Sequence, residues 1–114
     1  EQQRALRNEK IQEALLGATE VPLEIAKCCF DALQLHEELA KKGTKLAISD
    51  IAVGAALCKA ALQGAKMNVL INTRMMEDED RKKELEQKIF EIEKQAFAKA
   101  DQIIADIENY LMRR

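Results

Sequence analysis

An all-α fold, an up-and-down multi-helix bundle with long helices that dimerises, is what this sequence predicts, and three observations carry the helical part. Apolar residues recur at intervals of three and four along most of the 114 residues. Glycine and proline number only four and one, too few to punctuate many short elements. No stretch alternates polar with apolar as a strand would.

The length suits one domain, residues 1–114. Eighteen basic against twenty acidic residues give a net charge of -2, so there is no basic field of the kind nucleic-acid binding relies on. No run approaches the ~20 apolar residues of a membrane span, and nothing resembles a signal peptide. The expectation is a soluble, cytoplasmic protein with no membrane and no nucleic-acid partner. Cys28 and Cys29 are adjacent and Cys58 stands alone, which is neither zinc spacing nor a disulfide framework. All three are expected as buried free thiols, packed as small hydrophobes.

The elements follow in order. Ala5, Leu6, Ile11, Ala14, Leu15 and Ala18 mark a first amphipathic helix over residues 2 to 18. The chain starts at Glu1 in helical composition with no capping residue before it, which reads as a cut through a longer protein. Gly17, Thr19 and Pro22 then interrupt the pattern, with either a kink or a full break and with Thr19 as a cap. From Pro22 to Lys42, Glu24, Lys27, Asp31, Gln34, Glu38 and Lys41 form one narrow polar stripe on an otherwise apolar helix, which must therefore be covered by several neighbours. His36, the only histidine, lies on the apolar side as a core imidazole with one hydrogen bond, or alternatively as a base. Gly43 stops this helix.

A short loop, Thr44 to Ile48, leads into the central helix, Ile51 to Met76, with Ser49 as candidate N-cap and Asp50 as a first-turn carboxylate. Asp50, Gly54, Leu57, Ala61, Gly64, Asn68 and Asn72 fall within roughly 40° of one line on it. Glycine inside a helix costs about 1 kcal/mol against alanine. Two of them imply that a helix, a second copy of the chain or a ligand comes close. Asp78 caps the last helix, which runs to Arg114 over on the order of 50 Å and carries an apolar seam from Leu85 to Leu111. Such a seam is longer than the other helices should cover, and part of it is expected to meet a missing segment or another subunit.

No P-loop, dinucleotide turn, HExxH, nucleophile elbow or Glu-x-x-His pair is present. Two stretches go further. Glu20-Val21-Pro22-Leu23-Glu24-Ile25-Ala26, and Ala47-Ile48-Ser49-Asp50-Ile51-Ala52-Val53-Gly54-Ala55-Ala56-Leu57 followed by Gly64-Ala65-Lys66-Met67-Asn68-Val69-Leu70-Ile71-Asn72, resemble segments of the formiminotetrahydrofolate cyclodeaminase and methenyltetrahydrofolate cyclohydrolase family. The order and spacing agree over nearly the whole chain. The resemblance implies the C-terminal part of an all-helical, homodimeric, cytoplasmic domain of one-carbon metabolism, with the family's N-terminal glycine-rich segment lacking a counterpart here. It implies a tetrahydrofolate derivative as substrate and no metal. A cyclodeaminase closes the 5-formimino group onto N10 and releases ammonia; a cyclohydrolase interconverts the methenyl product with 10-formyltetrahydrofolate.

On that reading Asp50 is the candidate for proton transfer, the alternative being an ordinary helix-start aspartate. Ser49, Asn68, Asn72 and Arg74 are candidate folate-binding residues. Ser49 could equally be only a cap, and the two asparagines could bond to a facing helix. Arg74, with Arg81, Lys82 and Lys83, could meet a polyglutamate tail or form a solvated basic face. Asp50 and Asn68 lie about 27 Å apart along the axis, so one chain cannot bring both to one atom. An antiparallel two-fold contact near Lys59 to Ala61 would bring Asp50 of one subunit towards Asn68 and Asn72 of the other. The rival reading is a helical dimerisation or interaction module without catalysis.

Overall fold

The computed structural model describes residues 1–113. Three α-helices and one 3-10 turn make up the fold: α1 (Gln2–Lys42), the turn Lys45–Ala47, α2 (Ile48–Thr73) and α3 (Glu79–Met112). They run up, down and up as a rod 72 × 18 × 17 Å.

The expected interruption at Gly17 to Pro22 does not occur: α1 is one helix of 41 residues with Pro22 inside it. Proline lacks the N–H that would satisfy the carbonyl four residues back, here that of Ala18. Asn72 on α2 supplies the missing donor, its Nδ2 lying 3.2 Å from the Ala18 oxygen. Pro22 itself is buried, and Thr19 is no cap but donates its hydroxyl to the Leu15 carbonyl at 2.7 Å. A neighbouring helix has thus replaced the bond that the sequence could not make locally.

That continuity also explains the seam of α3. Leu85, Ile89, Ala96, Ala100, Ile103 and Ile107 are all buried within the chain's own core, and only Leu111 at the far end stands out in solvent. An unbroken α1 is longer than α3, so no missing segment is needed to cover it. Polar contacts hold the three helices in register. Thr73 donates to Glu86 at 2.9 Å, Lys66 pairs with Glu93, Lys59 with Asp101 at 2.7 Å and Lys99 with Glu37 at 3.0 Å.

Helix ends follow their residues closely. Asp78 accepts from the Arg81 amide at 3.1 Å, as its place before an acidic first turn foretells. Gly43 ends α1 with its N–H on the Leu39 carbonyl, and a Cβ at that position would come within 2.6 Å of the same oxygen. Ser49 is not a cap. The α2 helix begins two residues earlier, at Ile48 behind Ala47, which makes no side-chain cap bond, while Thr44 caps the preceding turn by accepting from Leu46. With Lys45, the α2 region is after all long and apolar enough to cross a membrane by length and composition. Here it lies against both other helices, with its remaining side open.

Candidate functional site

The open side of α2 is where the predicted residues gather. On α1, Val21, Ile25, Leu35 and Leu39 are exposed, and on α2, Val53, Leu57 (64% exposed), Met67 and Ile71 join them. Between the helices runs an open, apolar groove of ≈ 720 Å³ lined by Val21, Ile25, Cys28, Cys29, Leu57 and Ala61, with Glu20 and Glu24 on its rim. A smaller cavity lies at each end of α2.

At the head of α2, a cavity of ≈ 330 Å³ is lined by His36, Leu39, Gly43, Thr44, Ala47, Asp50 and Ile51. Asp50 is exposed, and among the described residues its carboxylate makes no hydrogen bond or ion pair. His36 makes the one bond expected of it, its Nδ1 lying 2.6 Å from the Ala32 carbonyl, but it is half-buried on the cavity wall rather than in the core. With Nδ1 as the donor, the lone pair sits on Nε2. That edge of the ring rests on Gly54, where an added Cβ would lie 2.2 Å from Nε2. The close neighbour demanded by a glycine at 54 is therefore the histidine of α1. Gly64 has nothing within 4 Å and faces open space.

At the tail, Met67, Asn68, Leu70, Ile71 and Arg74 line a cavity of ≈ 500 Å³. Asn68 and Arg74 are exposed. Asn72 is turned to α1, and of the two readings open for it the structure shows the bond to a facing helix. Ser49 is exposed in the first turn of α2. The chain brings together Asn68 with Arg74, and Asp50 with His36, but the two sets sit at opposite ends of one helix.

The thiols divide rather than sharing one fate. Cys29 is buried, Cys58 half-buried and Cys28 exposed on the groove. Burial raises the Cys29 thiol above the usual value, with Cys58 and Cys28 nearby adding to it, and burial alone raises Cys58. Among the described residues no three His, Cys, Asp or Glu side chains are close enough to hold a metal ion. What sequence reasoning missed is the exposure of Cys28 and the His36–Gly54 contact. A glycine one turn after Asp50 was the available signal for the second.

A family model described as Formiminotransferase-cyclodeaminase matches residues 1–91. A methenyltetrahydrofolate cyclohydrolase of Methylorubrum extorquens is 40% identical over 90 residues, covering 75% of this chain and 43% of that protein. Formimidoyltransferase-cyclodeaminases of Rattus norvegicus and Mus musculus are each 31% identical over 98 residues, 86% of this chain and 18% of theirs. The chain thus spans less than half the length of the curated relatives it matches. Helices α1 and α2, the groove between them and both end cavities lie inside the matched range, and on that evidence the chain belongs to the formiminotransferase-cyclodeaminase family.

Proposed function

We propose that this chain carries part of a folate-dependent one-carbon site, acting as a formiminotetrahydrofolate cyclodeaminase or a methenyltetrahydrofolate cyclohydrolase. The observation that carries this reading is the unpaired Asp50 carboxylate on a cavity at the head of α2, on a chain whose relatives bear those two names. In cyclodeamination N10 attacks the formimino carbon, loses its proton, and the former imino nitrogen departs as ammonia once protonated. Asp50 takes the first proton and can return it to the leaving nitrogen, because a carboxylate at the edge of water serves either step. In the cyclohydrolase direction the same group takes a proton from the attacking water. Asn68 and Arg74 hold polar parts of the folate, with Ser49 at the opposite end, and the side-chain oxygen of Asn72 remains for a further bond. No metal takes part. The protein works as a homodimer in the cytoplasm.

Absorbance of the methenyl group, followed with 5-formiminotetrahydrofolate and 10-formyltetrahydrofolate as separate substrates, tests this. Turnover of one of them is expected, with Asp50→Asn lowering kcat about 10²- to 10⁴-fold, the usual range for a lost acid–base group. A second reading, a helical dimerisation module without catalysis, is favoured by the wide apolar face. Calorimetry with tetrahydrofolate separates the two. Neither heat nor turnover in a protein that still self-associates would leave only the module.

A further inference from the structure

We propose that the cleft between the C-terminal ends of α1 and α3 binds a free α-amino acid with a compact apolar side chain. The cleft stands apart from the folate reading, since none of its lining residues lines the α1–α2 groove or either end cavity of α2. Its α3 wall, from Gln102 to Tyr110, also lies beyond the matched residues 1–91.

The cleft holds ≈ 340 Å³ and is more enclosed than the groove. That volume is at the lower end of the range for small-molecule sites, so its occupant is small. Ile48, Ile103 and Ile107, all buried, close the floor together with Ala40, and the deepest part therefore takes an apolar group. The alkyl stems of Lys41 and Lys45 extend that apolar wall towards the rim.

Charge on the rim is divided by height. Lys59–Asp101, Lys66–Glu93 and Thr73–Glu86 fix α3 on α2, while His36–Gly54 and Ala18–Asn72 fix α1 on α2. Together these contacts set Tyr110 level with Ala40 and Lys41. Asp106 lies one turn lower, about 6 Å along the axis, beside Glu37. At the upper level Lys41 and Lys45 have no carboxylate partner among the described residues. Lys45 stands over the Tyr110 ring, 4.9 Å from its centroid, and the neighbouring Lys42 is taken by Glu38 at 2.9 Å.

The two acids of the lower level differ. Glu37 is neutralised, with both oxygens 3.0 Å from the Lys99 ammonium. Asp106 accepts only from the neutral Gln102 amide, through Oδ1 at 2.8 Å, which leaves its charge uncompensated and its Oδ2 open. A plain anion would meet Asp106, and a plain cation would meet two lysines. A zwitterion satisfies both levels: its carboxylate bonds to Lys41 and Lys45, its ammonium to Asp106, and its side chain rests on the isoleucine floor. Bonds between ionised groups at both ends are the strong kind.

Amide chemical shifts of the full chain, titrated with L-leucine, isocaproate and isoamylamine, test this. The last two are leucine without its ammonium and leucine without its carboxylate. Leucine should saturate with a dissociation constant on the order of 1 mM, as expected of so small a ligand. It should shift residues 37 to 48 and 102 to 110 while leaving Val21 to Ile25 and Met67 to Arg74 in place. Isocaproate and isoamylamine should bind about fivefold more weakly or worse. Lys41→Gln combined with Lys45→Gln should weaken leucine about tenfold, and Asp106→Asn about threefold or more. On isocaproate Asp106→Asn acts with the opposite sign, tightening it by removing a like charge. All three positions are exposed, so these changes leave the core untouched. No saturable shift, shifts confined to the α1–α2 groove, isocaproate binding as well as leucine, or tighter leucine binding in Asp106→Asn would overturn the proposal. No folate is present, so a failure here leaves the folate reading standing, and the reverse holds too.

Discussion

At the scale of single residues, Gly54 shows how a poor helix former comes to be required. An alanine there would gain up to about 1 kcal/mol of helix propensity. Its methyl group would fall on the His36 ring, which the Ala32 carbonyl holds from the other side. Overpacking of this kind costs roughly 1–3 kcal/mol. Gly54→Ala should therefore destabilise the protein to denaturant, while the same change in a His36→Ala background should stabilise it. Gly17, exposed with nothing within 4 Å, is the control, and Gly17→Ala should add about 0.5–1 kcal/mol. The thiols give a pH prediction. Folding raises Cys29 and Cys58, so the fold prefers their neutral forms. Their contribution is complete below the ordinary thiol value of 9.0 and is lost as pH climbs through the raised folded values. Alkylation should accordingly reach Cys28 first, with Cys29 and Cys58 protected until the chain opens, which mass spectrometry of timed samples would read.

At the scale of elements, the helices that end where their own residues say so were legible in the sequence. Asp78, Gly43 and the threes and fours of α3 act over a few residues, and local pattern is enough to read them. The continuity of α1 was not legible, because the donor that rescues the Ala18 carbonyl comes from Asn72, on another helix and 54 positions later. Asn72→Ala should cost about 1 kcal/mol, the net worth of one such bond. In a Pro22→Ala background, where an amide N–H is available again, that cost should nearly vanish, and a double-mutant cycle would show the coupling. Asp78→Ala should remove about 1 kcal/mol through loss of the cap. The site was legible only in part. Helical spacing put Asp50, Asn68 and Asn72 on one line, but which of them faces a neighbour depends on how α1 rolls against α2. That roll turned the amide of Asn72 onto the Ala18 carbonyl and left Asp50 and Asn68 outside.

At the scale of the molecule, three helices side by side make a rod rather than a ball. Its radius of gyration is 18.6 Å, against about 13 Å for a compact chain of this length. The core is one side chain thick, with Leu33, Leu62, Val69 and Ile89 fully enclosed along its length. A rod with an uncovered apolar flank gains stability from association, so the melting temperature should rise with protein concentration, as scanning calorimetry over a hundredfold range would show. The proline within α1 has one more effect, and it concerns time. Until α2 has folded back, only water reaches the orphaned oxygen at Ala18, and the first helix is weakest at that point. Its straightening must wait for the hairpin to close, so the middle of the longest helix is finished late, and removing Asn72 should speed unfolding while scarcely slowing refolding.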